Sequence, residues 1–285
     1  MPKYELGEIR RSQILHRGPG AIIDFRAGEK GGGPVSIITS GLEQWEKRNK
    51  LLIPMSRDPN VEFEPRLQAK LGKTHFRMPP VQVIEGEDKD DQYKPHIEGI
   101  RFPKWLQCTS CDLLDKASKF SSEVGDPSRW CEKCSVKTGH RVHVFPVRFI
   151  TMCENGHISD FPWDYYYSRL KNCSCGSTKI YLKSDGNSSA LESLFLTCNR
   201  CKNNRVSLKH IFDSKFLSTL GIKCSGERPW IGDSEDCSCA ISTSQKGASN
   251  TYFPKIESAL SIPPWDNPLE KIMNIDWKLI KDLPP

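Results

Sequence analysis

Short apolar runs, bounded by glycine and proline, set the pattern of the first hundred residues. AIIDF (21–25) lies between GPG and GGG, and VSIIT (35–39) follows GGG, so each run predicts a β-strand. HFRMPPVQVIEG (75–86) and IEGIRFPKWL (97–106) predict two further strands, and the acidic stretch EGEDKDDQ (85–92) predicts a solvated loop between them. The region is therefore expected to be rich in short strands.

One segment of this region has a helical period instead. GLEQWEKRNK (41–50) places Leu42 and Trp45 three residues apart, which puts both on one face of a short helix. The region up to about residue 100 contains no cysteine. It is expected to form an N-terminal α/β domain.

From Cys108 onward, cysteine pairs recur between short β-like runs such as HVFPVRFIT (143–151) and KIYLK (179–183). Their unequal spacing argues against a true repeat. The predicted fold class is α+β and β-rich, with stacked zinc-ribbon-like modules. The predicted domains are the cysteine-free region (1–100), a four-cysteine zinc ribbon (101–150) and Cys/His zinc-binding modules (151–285).

The composition predicts the cellular compartment, and the compartment decides whether these cysteines are metal ligands or disulfides. Of the 285 residues, 37% are hydrophobic and 27% charged, which is typical of a soluble protein. No apolar run approaches the roughly 20 residues that cross a bilayer, and the charged N-terminus lacks the apolar core of a signal peptide. We therefore expect a cytoplasmic protein, in which closely spaced cysteines are metal ligands rather than disulfides.

The net charge changes this picture only slightly. A formal charge of +6 suits an anionic partner such as DNA, but many proteins without a nucleic-acid role are equally basic.

Two CxxC pairs form the strongest metal motif in the sequence. Cys108 and Cys111 are followed, after nineteen residues, by Cys131 and Cys134. Four thiolates at this spacing suit tetrahedral Zn²⁺, and a redox CxxC would not need a second pair. His140 and His143 follow closely and are alternatives to two of the sulfurs, although surface or strand histidines are the simpler interpretation.

The remaining cysteines predict two further sites with less certain partners. One set combines Cys153 and His157 with Cys173 and Cys175. The other combines Cys198 and Cys201 with Cys224 and either Cys237 or Cys239. Twelve cysteines and His157 give thirteen candidates for three four-coordinate ions, so about three structural Zn²⁺ are expected. Some of these cysteines are alternatively free and buried, as small hydrophobic residues.

A catalytic role for these groups is disfavoured. Closed, cysteine-rich ligand sets leave no open position for an activated water. Asp160 lies near His157 and Cys153, but residues so close on one chain rarely form a nucleophilic triad. No Walker A motif for ATP is present, and we expect no enzymatic activity.

Five segments carry a resemblance to a known family. They are RRSQILHRGPGAIIDF (10–25), RFPKWLQCTSC (101–111), PVRFITMCENGHISDFPW (146–163), ERPWIG (227–232) and QKGASNTYFPKIESALSIPPW (245–265). Their wording and order resemble the N-terminal part of the DrmB family, the helicase-associated proteins of bacterial DISARM anti-phage systems. The resemblance covers about residues 8 to 265.

The resemblance implies an accessory protein that partners a DrmA-like superfamily 2 helicase and binds DNA with it. Family members are longer, so it also implies a C-terminal part that is absent or lies on a separate DrmB-like chain, beside other defence subunits. It implies no active site, and the lack of a long apolar run predicts no membrane association.

The sequence itself offers candidate DNA contacts and their structural alternatives. The basic and polar candidates are Arg10, Arg11, Arg17, Gln245, Lys246, Ser249 and Asn250. The arginines flank a glycine turn that could approach phosphate, and the polar loop suits phosphate or base contact, but both could equally serve packing. Trp105, Trp163, Trp230 and Trp265 are expected to cap small zinc cores rather than stack on bases. A scaffold that binds only protein is the competing function.

Overall fold

The structure is a computed structural model that describes residues 18–27, 32–40, 61–62, 64–77, 99–171, 179–186, 191–200, 204–252 and 255–259. Its contacts divide the chain into two units. One comprises Met1–Leu52 and Pro80–Pro254, and the other Ile53–Pro79 and Lys255–Pro285. No helix in the described ranges is both long enough and apolar enough to cross a membrane.

The described residues are β-rich with four short α-helices. The strands are β1 Ile22–Arg26, β2 Pro34–Thr39, β3 Val61–Glu62, β4 Phe76–Arg77, β5 Gly99–Arg101, β6 Trp105–Gln107, β7 Leu113–Lys116, β8 Phe145–Pro146, β9 Phe149–Met152, β10 Ile158–Asp160, β11 Ile180–Ser184, β12 Leu194–Cys198, β13 Val206–Ser207, β14 Glu227–Arg228, β15 Asp233–Ser234 and β16 Ser242–Gln245. The helices are α1 Pro65–Leu71, α2 Glu132–Thr138, α3 Trp163–Leu170 and α4 Ser214–Thr219. This confirms the predicted β-rich α+β character at the coarse level.

The first sheet of the larger unit is antiparallel, in the order β1-β2-β5. Ile22 pairs with Ile38, which pairs in turn with Ile100. Ile38 and Phe102 are fully buried and form a cluster with Ile150 and Ile158 of β9 and β10. The apolar face of the N-terminal strands is thereby packed on the cysteine-bearing part of the chain.

A six-stranded sheet holds the main core. Its order is β13-β12-β11-β7-β6-β8, and every pairing in it is antiparallel. Trp163 and Tyr166 of α3, both almost fully buried, pack with Leu114, Ile180 and other apolar residues of this sheet. Because its strands come from both sides of residue 150, the predicted second and third domains contribute to one sheet.

A third sheet has the order β10-β9-β16 and ends at the Cys153 turn. Ile158 pairs with Met152, and Ser242 pairs with Met152 from the other side. β9 is therefore the central strand, with the Cys153 turn at one end and Phe149, opposite Gln245, at the other.

Two-residue ladders complete the described structure. In the larger unit, β14 and β15 form a hairpin. In the smaller unit, β3 pairs with β4, and α1 ends at Gly72, whose left-handed backbone (φ 62°) glycine adopts without strain. Lys70 of α1 forms a 2.7 Å ion pair with Glu257 in the same unit.

Prolines explain where the predicted strands differ from the observed ones. IEGIRFPKWL forms two strands, β5 and β6, in different sheets, and the chain leaves the first sheet at Phe102–Pro103. HVFPVRFIT is likewise divided into β8 and β9. Proline lacks the N–H that a continued ladder needs. The helix predicted at 41–50 and the acidic loop at 85–92 lie outside the described residues.

The tryptophans lie in larger cores than predicted. Trp105 and Trp163 belong to the main core, where Trp163 contacts Phe161 with ring centroids 4.8 Å apart. Trp230 packs against the cluster around Ile38 and contacts Tyr252 at 5.3 Å. Trp265 lies outside the described residues. These three described tryptophans thus join the packing between sheets.

Asp160, three residues after His157, uses its carboxylate to bind backbone N–H groups. Its carboxylate accepts the N–H of Lys104 at 2.8 Å and of Trp105 at 3.3 Å, which fixes the start of β6. Burial raises the pKa of Asp160 to about 6, although the two N–H donors and Lys104 oppose the shift. The carboxyl is therefore harder to ionise in the folded protein than in the unfolded chain.

The shifted pKa predicts a pH dependence. A folded-state pKa above the unfolded value contributes stability at low pH, which is lost as pH rises from the unfolded value through about 6. Asp160→Asn lacks this titration. The free energy of unfolding of the wild type should fall by about 1 kcal/mol relative to the variant between roughly pH 5 and 7. Urea unfolding of both proteins at each pH measures this, and a constant difference would contradict the assignment.

Candidate metal centres

The first cysteine group brings together the four predicted sulfurs. The ligand atoms of Cys108, Cys111, Cys131 and Cys134 all lie within 4.8 Å of one another. The Cys108 and Cys134 sulfurs are 3.8 Å apart, and those of Cys111 and Cys131 are 3.9 Å apart. A tetrahedron with Zn–S bonds of about 2.3 Å has edges of about 3.8 Å, so the spacing fits zinc and is far too long for a disulfide.

Local backbone structure fixes the first pair of this group. Cys108 follows β6, and its N–H donates to the Leu113 carbonyl at 2.9 Å while its carbonyl accepts from Asp112 at 2.7 Å. Asp112 adopts a left-handed backbone (φ 61°), which closes the turn. This is the tight turn that a CxxC knuckle requires.

The second pair lies at the start of a helix instead of in a second knuckle. Cys131 is the N-cap of α2 and Cys134 lies in its first turn. Ser135 donates its hydroxyl to the Cys131 carbonyl at 2.8 Å and accepts the Val142 N–H at 2.9 Å. Cys108, Cys131 and Cys134 are buried and form a small core with Leu106.

The pKa values of three thiols in this group are shifted by burial and by neighbouring groups. Burial raises the pKa of Cys111 and of Cys131, whereas at Cys134 burial is outweighed by hydrogen bonds from Ser110 and the other thiols, which lower the pKa. Several thiolates this close repel one another. A divalent cation bound by these sulfurs would remove that repulsion and would contribute folding energy.

A second group forms around the Cys153 turn. The ligand atoms of Cys153, His157, Cys224 and Cys237 all lie within 4.8 Å of one another. The turn is closed by the Gly156 N–H, which donates to the Cys153 carbonyl at 3.0 Å, with Gly156 at φ 83°. The Cys153 sulfur lies 3.3 Å from His157 Nδ1.

The orientation of His157 is set from its other nitrogen. Nε2 lies 2.8 Å from Glu235 Oε1, and Arg228 lies 2.9 Å from the other oxygen of this carboxylate. Arg228 is itself bidentate to Asp233, with two 2.8 Å bonds. A carboxylate that holds the distal nitrogen of a metal-ligating histidine is the usual outer support of such a site, and it leaves Nδ1 facing the sulfurs.

Two thiols of the second group have pKa values shifted in opposite directions. The pKa of Cys237 is lowered to about 6, first by a hydrogen bond from the Cys239 backbone, whereas burial raises the pKa of Cys224 to about 12. The Gly226 N–H donates to the Cys224 sulfur at 3.3 Å, and a Cβ at Gly226 would collide with the Glu235 carbonyl oxygen. Glycine is therefore required beside this ligand.

Cys239 lies beside the second group without being one of its four members. Asn155 donates to the sulfurs of Cys239 at 3.4 Å and Cys237 at 3.6 Å. The choice between Cys237 and Cys239, which spacing left open, thus falls on Cys237 by geometry.

The partners of the second group differ from those expected. Cys224 and Cys237 were assigned by spacing to a site with Cys198 and Cys201, but they lie with Cys153 and His157 instead. The chain between Cys224 and Cys237 turns back through β14 and β15, which brings both cysteines to the Cys153 turn. Cys198 is buried at the end of β12, opposite Ile180. Cys173, Cys175 and Cys201 lie outside the described residues.

The alternative histidines and the triad are not supported by the geometry. His140 is exposed, its Nδ1 lies 3.1 Å from the Thr138 carbonyl, and neither His140 nor His143 joins the four-sulfur group. Asp160 contacts backbone N–H groups, while His157 contacts Glu235. Glu235 and Arg228 were not predicted, although the position of Glu235 two residues before Cys237 was an available signal.

The GPG, ERPWIG and QKGASNTY segments meet at one surface of the larger unit. Lys246 is mostly buried and pairs with Asp24 of β1 at 2.7 Å. A Cβ at Gly20, in the GPG turn, would contact Tyr252 at 3.6 Å and Trp230 at 3.8 Å. Gln245, Ser249 and Asn250 are exposed, whereas Arg10, Arg11 and Arg17 lie outside the described residues. Three motifs that are distant in sequence are thus neighbours in space.

Comparison with known proteins gives the family. The model of the family described as "Domain of unknown function (DUF8724)" matches residues 10–253. The chain belongs to this family. It is also similar to the DISARM protein DrmB of Bacillus paralicheniformis, with 29% identity over 235 residues. The alignment covers 80% of this chain and 36% of that protein, so the chain spans about a third of the length of the relative. The resemblance stated from the motifs is confirmed.

The second group predicts a contrast between two neighbouring cysteines. Cys237→Ser should remove about one equivalent of zinc and lower the thermal stability, because binding energy is folding energy at such sites. Cys239→Ser should leave zinc content unchanged. Elemental analysis and thermal unfolding of both variants measure this. Equal loss from both, or from Cys239→Ser alone, would show that the ligand is misassigned.

The carboxylate behind His157 predicts a change in affinity without loss of a ligand. Glu235→Gln should weaken zinc binding by about 10- to 100-fold, because the ring loses its charged support. Competition with a chromogenic chelator measures the affinity. Glu154→Gln, which changes an exposed carboxylate in the Cys153 turn, is the matched control. Unchanged affinity in Glu235→Gln would contradict the role.

Proposed function

We propose that the chain is a zinc-stabilised accessory component of a DISARM-type anti-phage defence complex, which docks on a superfamily 2 helicase and contributes to DNA binding. The observation that carries the proposal is the similarity to the DISARM protein DrmB over 80% of the chain. The convergence of the GPG, ERPWIG and QKGASNTY motifs on one surface supports it, since packing alone does not require all three to be polar or glycine-rich.

Two structural zinc ions are the cofactors that the described geometry supports. The four-sulfur group would act as a zinc-ribbon-like centre, and the group of three cysteines and His157 would fasten the Cys153 turn to the segment from Cys224 to Cys237. Closed, cysteine-rich ligand sets of this kind leave no position for substrate, which supports an accessory role over a catalytic one. The expected total of three ions stays a prediction.

DNA contact is assigned to the loop that follows β16. The side chain of Lys246 in this loop is only 13% exposed and forms an ion pair with Asp24. Contact with a phosphate would require the ammonium to exchange that carboxylate for the phosphate. The exposed amides of Gln245 and Asn250 lie beside it in sequence and suit polar groups of DNA.

The ion pair predicts opposite effects of two substitutions. Lys246→Ala should weaken DNA binding about equally for all sequences and make the dependence of log affinity on log salt shallower by about one. Asp24→Asn should strengthen binding, because it frees the same lysine. Fluorescence anisotropy with a labelled duplex over a salt series measures both effects, and Lys137→Ala, an exposed lysine on α2, is the control.

The competing function is a scaffold that binds only protein. If the wild-type chain binds no DNA at low salt but co-purifies with its helicase partner, the DNA-binding part of the proposal fails and the scaffold function replaces it. If no helicase is retained, the docking part fails.

A further inference from the structure

A fifth thiol lies against the second group. Cys239 follows Cys237 by two residues and is partly exposed, but its sulfur is not one of the four ligand atoms that lie within 4.8 Å of one another. A four-coordinate ion bound by Cys153, His157, Cys224 and Cys237 would therefore leave the Cys239 thiol uncoordinated. A free thiol thus stands beside a metal-ligating one.

Two kinds of contact hold the sulfurs of Cys237 and Cys239 side by side. The amide of Asn155 donates to the Cys237 sulfur at 3.6 Å and to the Cys239 sulfur at 3.4 Å. The backbone N–H and the side chain of Cys239 both form hydrogen bonds with the Cys237 sulfur. The turn that carries Asn155 also carries two ligands, Cys153 and His157. The two sulfurs are therefore paired by the same turn that builds the second group.

The chain allows these two cysteines to bond to each other. Two residues of fully extended backbone span at most roughly 7 Å, and disulfides join cysteines whose Cα atoms are roughly 4.4–6.8 Å apart. Residues 235–239 belong to no strand or helix, so no ladder has to break for this segment to bend. Ser238, between the two cysteines, is exposed, so a small oxidant in solvent reaches the pair.

The second group also supports the surface at which three polar motifs meet. A Cβ at Gly156, in the Cys153 turn, would lie 3.0 Å from the Tyr252 hydroxyl. The Tyr252 ring in turn contacts Trp230, with centroids 5.3 Å apart. A change in the metal ligands would therefore reach the GPG, ERPWIG and QKGASNTY segments through one packed tyrosine.

We propose that Cys237 and Cys239 form a redox switch, in which a peroxide converts the pair to a disulfide and the second group loses its metal. The inference rests on the structural zinc proposed above for this group and adds its regulation. The disulfide removes Cys237 from the ligand set and leaves three ligands. The first group has no part in the switch, because both of its CxxC pairs supply ligands.

The oxidation balances with peroxide as the oxidant. The Cys239 sulfur attacks one peroxide oxygen and loses its proton, and the O–O bond breaks to give a sulfenic acid and water. The Cys237 sulfur then attacks the sulfenic sulfur, the S–O bond breaks, and the leaving hydroxide takes a proton from solvent as the S–S bond forms. The two sulfurs lose two electrons, and peroxide is reduced to water. A thiol reductant reverses the change.

The test measures zinc release from the full chain with a chromogenic chelator after addition of hydrogen peroxide. The wild type should release about one equivalent, and reduction in the presence of zinc should restore it. Cys239→Ser keeps all four ligands and should release zinc roughly tenfold more slowly, because the neighbouring sulfur that starts the reaction is lost. Ser238→Ala, a change at the exposed residue between the two cysteines, is the matched control and should behave as the wild type.

Peptide mapping under non-reducing conditions identifies the bond. A fragment containing Cys237 and Cys239, two hydrogens lighter than its reduced form, is expected from the oxidised wild type. Equal release rates in the wild type and Cys239→Ser, or a disulfide between other cysteines, would overturn the switch and leave the structural zinc in place. If Cys237→Ser contains as much zinc as the untreated wild type, the second group holds no ion, and the zinc proposal falls together with the switch.

Discussion

The close approach of several thiol groups in a small volume is the constraint on which the rest of the larger unit depends. Two pairs of sulfurs lie 3.8 and 3.9 Å apart, and three of the cysteines are themselves members of the small core around Leu106. Without a cation, burial and the neighbouring sulfurs oppose ionisation of Cys111 and Cys131. With a cation bound, the same four sulfurs would join the turn after β6 to the start of α2. The strands are two to six residues long, so each buries little apolar surface on its own.

The two ligand groups connect parts of the chain at different sequence distances. The first joins a turn and a helix that are near in sequence, and so stabilises a local module. The second brings the turn after β9 together with a segment some seventy residues later, shortly before β16 in the chain. The loop that carries Lys246 follows β16 and depends on the β9–β16 strand pair. The proposed binding surface and the second metal centre are thus connected through one central strand.

The sequence predicted what is encoded by local spacing and failed where distant segments decide. The first four cysteines and the pair Cys153–His157 follow from their intervals, because a short turn can hardly place them elsewhere. Cys224 and Cys237 have no such local constraint, and only the hairpin between them shows which turn they meet. The predicted strands were too long at Pro103 and Pro146. The apolar pattern continues through both positions, but proline has no N–H for the ladder. Glu235 and Asp24 were missed because their roles come from neighbours that are far away in the chain.

The distance along the chain between ligands also sets an order of events during synthesis. The last sulfur of the first group is at position 134, so its four ligands are complete before any ligand of the second group is made. The second group needs Cys237 and must close a much longer loop, which costs more entropy. Translation proceeds from the N-terminus at about 5–20 residues per second. The first centre can therefore load metal on the ribosome, seconds before the second has all its ligands.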